Sequence, residues 1–197
     1  MQAYTDITLL PCDDVGHHFL WEKLYQQIHL ALVENKTTNE SSLFGVTFPE
    51  FNTSRNQLGR KLRVFAPSHA ALETLNLPRW LDNLSDYLHI TSIRDVPVDV
   101  KRAVSYRRIQ TKSSPERLAR RTAKRRGISY ERALAEYSTT EPEWSRNPFL
   151  WINSLSSDKR FKLFIAEEVK APLEEMGLEF TLYGLGQSGK TAFLPQF

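Results

Sequence analysis

Apolar and polar positions alternate from Tyr4 to Leu10, and Pro11 ends the run, which predicts a strand. Residues 18–34 change period. Leu20, Leu24, Ile28, Ala31 and Leu32 recur at helical spacing and predict an amphipathic helix. The segments LFGVTF (43–48) and KLRVFA (61–66) predict two strands with a polar loop between them. A second helical region covers 68–76 and 78–87, with Pro78 and Trp80 at the break, and LHITSI (88–93) predicts another strand. The order β-α-β-β-α-β is the ferredoxin-like pattern. It predicts an N-terminal domain over 1–97, with RDVPVDVK (94–101) as the linker into a second domain over 98–197.

The second half is less regular. AVSYRRIQ (103–110) predicts a strand. Ser113, Ser114, Pro115 and Glu116 form a helix start: serines to cap, proline in the first turn, glutamate at the positive end of the dipole. Gly127 is a helix stop, so the helix runs over about 114–126. Ser129 opens a short helix, YERALAEY, and residues 138–148 form a loop. WINSLSS and RFKLFIAEE suggest a hairpin, and EFTLYGL (179–185) a final strand. The fold class is therefore α+β.

Charge changes the picture most. Net charge is only +3, yet Lys101 to Arg132 holds twelve Lys or Arg and two acids, Glu116 and Glu131. Residues 1–100 carry eight basic and twelve acidic side chains. A local excess of this size points to a polyanion, and nucleic acid fits best. Within ERLARRTAKRR only Leu118 is large and apolar, so the helix lacks the stripe that would fix it to a core, and the face it would need to lie on a membrane. Arg117, Arg120, Arg121, Lys124, Arg125 and Arg126 are its candidate phosphate contacts, with Lys112 just before it. Such contacts position a nucleic acid without reading sequence. Arg108 and Gln110, on one side of the preceding strand, suit base reading, since arginine pairs with guanine and glutamine with adenine.

Other classes recede. No apolar run approaches the roughly 18–20 residues of a membrane span, and the acidic N-terminus lacks the basic start of a signal peptide, so a cytoplasmic protein is expected. Cys12 is the single cysteine and the five histidines (17, 18, 29, 69, 89) are scattered, so no metal site and no cofactor are expected. Gly184 to Thr191 spells a phosphate-binding loop in full, but AFLPQF leaves no room for the helix that would hold the phosphates; the segment reads instead as a Gly-rich turn into a terminal strand. His29, beside the apolar face of the first helix, reads as structural on its own, and Phe161 as either a core residue or a base-stacking one.

IHLALV, GVTFP, YRRIQTKSSPERLARR, RFKLFI and YGL occur in this order, and together they resemble the CRISPR-associated repeat-processing endoribonuclease of subtype I-F, over residues 4–197. The resemblance implies an enzyme that binds a repeat-RNA hairpin and cuts at its 3′ base without metal. It would remain with the product as a subunit of the surveillance complex. By the same resemblance His29 is the catalytic histidine, Tyr183 the tyrosine that orients it, and Ser154 the serine that positions the 2′-hydroxyl, with Ser156 and Ser157 as neighbouring rivals. Phe161 then stacks beneath the terminal base pair, Arg108 and Gln110 read bases, and Arg120, Arg121, Lys124 and Arg125 enter the major groove. The rival readings are a non-catalytic RNA-binding subunit and a DNA-binding regulator.

Overall fold

The computed structural model describes residues 1–38, 41–110, 115–137, 147–154, 159–170, 179–187 and 192–197. Five helices and eleven strands follow one another among these residues. They are β1 (Ala3–Leu9), α1 (His17–Glu34), β2 (Ser41–Ser42), β3 (Gly45–Thr47), β4 (Lys61–Ala66), α2 (His69–Leu75), α3 (Leu77–Trp80) and β5 (Leu88–Ile90). Then come β6 (Arg94–Asp95), β7 (Arg102–Ile109), α4 (Pro115–Arg126), α5 (Tyr130–Ala135), β8 (Phe149–Asn153), β9 (Arg160–Lys170), β10 (Phe180–Thr181) and β11 (Leu194–Gln196). The chain forms two compact units, Met1–Arg108 with Asn147–Phe197, and Ile109–Arg146. These bounds fall elsewhere than the sequence boundary at 97/98.

In the first unit one sheet runs β3-β4-β1-β5, with β6 also on β1. Its strands pair antiparallel. A four-stranded sheet follows the order β11-β7-β9-β8, and β2 pairs with β10. The fold is mixed α and β with antiparallel sheets, as the α+β reading expects. Period-2 alternation on β1 and β4 sorts the residues. Ala3, Ile7, Leu9, Leu62, Val64 and Ala66 join α1 residues Leu20, Leu24, Ile28 and Leu32 in the main core. Leu150, Ile152, Leu163 and Ile165 of β8 and β9 enter the same core. Tyr4 and Phe65 face the other way and pack with Phe180, Ala192 and Leu194. On that second face Asp6 and Arg63 stand opposite each other in register. Arg63 donates to both Asp6 oxygens, at 2.7 and 3.0 Å, and to the Phe197 carbonyl at 2.9 Å. Its guanidinium lies against the rings of both Tyr4 and Phe197, which meet edge to face.

The 68–87 helical region breaks where expected: Asn76 takes a left-handed φ of 48°, and Pro78 falls in the first turn of α3, where its missing N–H costs nothing. Three local expectations change. Residues 82–87 form a 3-10 turn and do not continue the helix. Arg94–Asp95, placed in the linker by composition, pairs with Ala3 and Tyr4. The final strand is short: EFTLYGL keeps only Phe180–Thr181 as strand before it turns.

The second unit is a helix pair. α4 buries only Ala119 and Thr122, a narrow face made of small side chains. The Thr122 hydroxyl meets the Tyr137 hydroxyl at 2.9 Å. Gly127 ends α4 with φ +64°, a conformation cheap only for glycine, and the Ser129 side chain caps α5 by accepting from Arg132 N–H. The serines expected to cap α4, Ser113 and Ser114, lie outside the described residues.

Candidate active site

α1 and a turn near the C-terminus build the centre of the site. Tyr25 and His29 lie four residues apart, so they share one helix face. Both reach the same stretch of main chain. The Tyr25 hydroxyl donates to the Tyr183 carbonyl at 2.9 Å, and His29 Nδ1 lies 2.8 Å from the Leu182 carbonyl. A carbonyl can only accept, so Nδ1 carries the hydrogen and the neutral ring keeps its lone pair on Nε2. Burial lowers the His29 pKa from its usual 6.5, and the bond to Leu182 partly opposes that shift. The imidazole is therefore neutral at pH 7. The Tyr183 ring stacks on it, with centroids 4.1 Å apart and planes 13° from parallel.

The turn holding Tyr183 is tightly determined. Thr181 N–H donates to the Leu185 carbonyl at 2.8 Å, Gly184 N–H to Thr181 at 2.8 Å, and Val46 N–H to Gly184 at 2.8 Å. Gly184 has φ +71°, and a Cβ there would lie 2.7 Å from Val46 Cγ1. Only glycine allows the chain to fold back so close to β3. Gly186 N–H donates to the Tyr106 carbonyl at 2.7 Å, which fixes the turn against β7 and removes that N–H from any phosphate-binding role. Ser188 to Thr191 lie outside the described residues.

β7 and β9 add an aromatic platform. The Arg108 guanidinium lies over the Phe161 ring, 4.8 Å from its centroid. Burial raises the Tyr183 pKa and the positive charge of Arg108 opposes this, so the guanidinium is within electrostatic reach of the phenol. His29, Tyr183, Arg108 and Phe161 thus converge. Phe161 is half-buried against the core and half-open, which joins the two alternatives that the sequence leaves for it.

Ser154 directly follows β8, and its N–H donates to the Lys159 carbonyl at 2.9 Å. It is tied to α1 through a residue that sequence reading does not single out. Gln26 Oε1 accepts from Asn153 N–H at 3.0 Å, and Gln26 Nε2 approaches the Asn153 carbonyl at 3.4 Å. The carboxamide copies the pairing a further strand would offer to the edge of β8. Gln26 precedes His29 by three residues, so α1 carries both the histidine and the clamp on the serine's neighbour. In a sequence Gln26 is one more polar position of an amphipathic helix, and Tyr25 one more apolar one; nothing marks either. Ser156 and Ser157 lie outside the described residues.

In the other unit Arg117, Arg120, Arg121, Lys124, Arg125 and Arg126 are all exposed on α4. Arg126 pairs with Glu136 at 3.1 Å. Leu118, Arg121, Thr122, Lys124, Arg125 and Tyr137 line a cavity of about 430 Å³. Gln110 is exposed just beyond β7, and Lys112 lies outside the described residues.

The chain that carries this arrangement has matches among known proteins. The family described as CRISPR-associated protein (Cas_Csy4) matches residues 4–197. A CRISPR-associated endonuclease Cas6/Csy4 from Pseudomonas aeruginosa (strain UCBPP-PA14) is 34% identical over 201 residues, covering 100% of both chains. Its namesake from Escherichia coli (strain UTI89 / UPEC) is 33% identical over 201 residues, again across 100% of both. With the family profile spanning nearly the whole length and both relatives aligned end to end, the chain belongs to the CRISPR-associated Csy4 family.

Proposed function

We propose that this protein is the endoribonuclease that processes CRISPR repeat RNA, binding the repeat stem-loop and cutting at its 3′ base by attack of the RNA's own 2′-hydroxyl. The observation that carries this reading is the fixed tautomer of His29, whose Nδ1–H is engaged by the Leu182 carbonyl and whose Nε2 remains basic. RNA supplies the nucleophile, so the enzyme must orient the 2′-oxygen, take its proton and hold the geometry. His29 Nε2 takes the proton. Tyr183 fixes the imidazole plane. Ser154 holds the 2′-oxygen. The oxygen attacks the adjacent phosphorus, the bond to the 5′-oxygen breaks as that oxygen takes up a proton from water, and the products are a 2′,3′-cyclic phosphate and a 5′-hydroxyl end.

In the same reading Phe161 stacks on the base of the stem, Arg108 and Gln110 read bases, and Lys112 contacts the RNA. Arg117, Arg120, Arg121, Lys124, Arg125 and Arg126 contact phosphates. The β3-β4-β1-β5 order with helices between the strands supports a ferredoxin-like N-terminal domain, and exposed cations on α4 support a separate RNA-gripping element. The processed RNA stays bound within the surveillance complex. His29→Ala, assayed in EDTA, is expected to bind the hairpin with unchanged affinity and to cut it about 10²–10⁴-fold more slowly. Cutting by that variant at the wild-type rate contradicts the assignment.

A further inference from the structure

The two faces of the β8–β9 hairpin differ. Leu150, Ile152, Leu163 and Ile165 point into the core. The opposite face carries the pairs Phe149–Phe164, Trp151–Lys162 and Asn153–Arg160. The rings are half-buried, and Arg160 and Lys162 are exposed. Cations and rings interleave: Arg160 Cζ is 4.7 Å from the Trp151 centroid, and Lys162 Nζ is 4.3 Å from Phe149 and 5.3 Å from Trp151. The Phe149 ring lies 6.1 Å from Trp151 and 5.3 Å from Phe164. His18 adds an aromatic ring 5.9 Å from Phe149. At the Phe149 end the face runs into a cavity of about 440 Å³, lined also by His17, His18 and Arg60. At the other end it meets Asn153, the neighbour of Ser154. Among the described residues, Glu22 pairs with Arg160 of this row at 2.6 Å.

A solvated antiparallel face ordinarily mixes both signs of charge with few rings. Here rings suited to stacking alternate with cations suited to phosphates, which is how proteins hold single-stranded nucleic acid without reading its sequence. From Asn153 to Phe149 the strand advances about 13 Å, enough for a short run of nucleotides.

We propose that this face is a track for the single-stranded RNA lying 3′ of the cleavage position, with Trp151 and Phe149 as stacking surfaces and Arg160 and Lys162 as phosphate contacts. The inference rests on the ribonuclease reading above. The direction follows from the cleavage position. Phe161, where the stem is placed, points to the other side of β9 from Lys162, with Arg108 of β7 over its ring; the row begins at Asn153 beside Ser154, and in the reading above the RNA that continues past that cut is the strand leaving the stem.

The test uses three RNAs, the bare hairpin and the same hairpin with an unpaired 3′ or an unpaired 5′ extension, each carrying a 2′-deoxy residue at the cleavage position. The wild-type protein is expected to bind the 3′-extended RNA about tenfold more tightly. Trp151→Ala and the milder, surface-only Lys162→Gln are expected to remove most of that gain and to leave bare-hairpin affinity unchanged. A 3′ extension that adds nothing in the wild type overturns the proposal, as does an equal loss on the bare and 3′-extended RNAs. A gain produced only by a 5′ extension also overturns it. Failure of the wild-type protein to bind the bare hairpin is a separate result, and it counts against the ribonuclease reading instead.

Discussion

Replacing Gln26 with alanine separates positioning from chemistry at this site. The carboxamide makes one good bond to Asn153 N–H, at 3.0 Å, and one long contact to its carbonyl, at 3.4 Å. β8 is an edge strand, so water can replace both partners once the side chain is gone. The expected loss of stability is about 0.5–1.5 kcal/mol, the value of a single exposed or half-exposed hydrogen bond, and the fold persists. Cleavage should suffer more. A shift of about 1 Å in a positioned group can slow a reaction by up to about 10²-fold, so a decrease of about tenfold or more is expected under single-turnover conditions with saturating RNA. RNA affinity should be unchanged, because Gln26 is not placed in contact with RNA. A double-mutant cycle identifies the route. If Gln26 acts through Ser154, the double variant with Ser154→Ala cuts no more slowly than Ser154→Ala alone. Additive losses, or cutting by Gln26→Ala within about twofold of wild type, refute the reasoning.

Other perturbations follow from the same geometry. Gly184→Ala must accept a positive φ and a Cβ 2.7 Å from a Val46 methyl, so a loss of about 2–4 kcal/mol in urea unfolding is expected, with cleavage impaired although no reacting group has changed. Asp6→Ala leaves the Arg63 charge buried without its carboxylate and should cost about 3 kcal/mol; a loss below about 1 kcal/mol contradicts the assigned role. The His29 pKa lies below 6.5 in the folded protein, so the basic form survives to lower pH than in free imidazole. The acidic limb of the kcat/KM profile, which reports the RNA-free enzyme, is therefore expected at a midpoint under 6.5, and a midpoint above 6.5 argues against His29 as the base. The stability sign agrees. The unfolded chain binds this proton more readily, so His29's contribution is complete above pH 6.5 and declines as pH falls through the lower folded value.

Periodicity carried much of the fold because it reports burial. The Leu20, Leu24, Ile28 and Leu32 spacing found α1 within a residue of its observed start, and KLRVFA matched β4 end to end. What periodicity missed depends on hydrogen bonds between distant segments. Arg94–Asp95 is polar, and it is a strand only because β1 lies beside it. EFTLYGL has strand-forming residues throughout, yet Gly184 and the grip of Tyr25 and His29 on the main chain turn it after Thr181. The site divided in the same way. Clustered charge made α4 visible from composition, whereas His29 gained meaning only from its family resemblance and then from the Leu182 carbonyl. Gln26 acts through main-chain atoms 127 positions away, and no local pattern could announce it.

The central claim is that the RNA's 2′-hydroxyl is the nucleophile and that His29 activates it. The most direct measurement is cleavage of a hairpin with a single 2′-deoxy substitution at the cut site, alongside the unmodified RNA. The account predicts unchanged binding, no cutting of the substituted RNA, and a 2′,3′-cyclic phosphate on the product of the unmodified one. Cutting of the deoxy substrate at a comparable rate contradicts it.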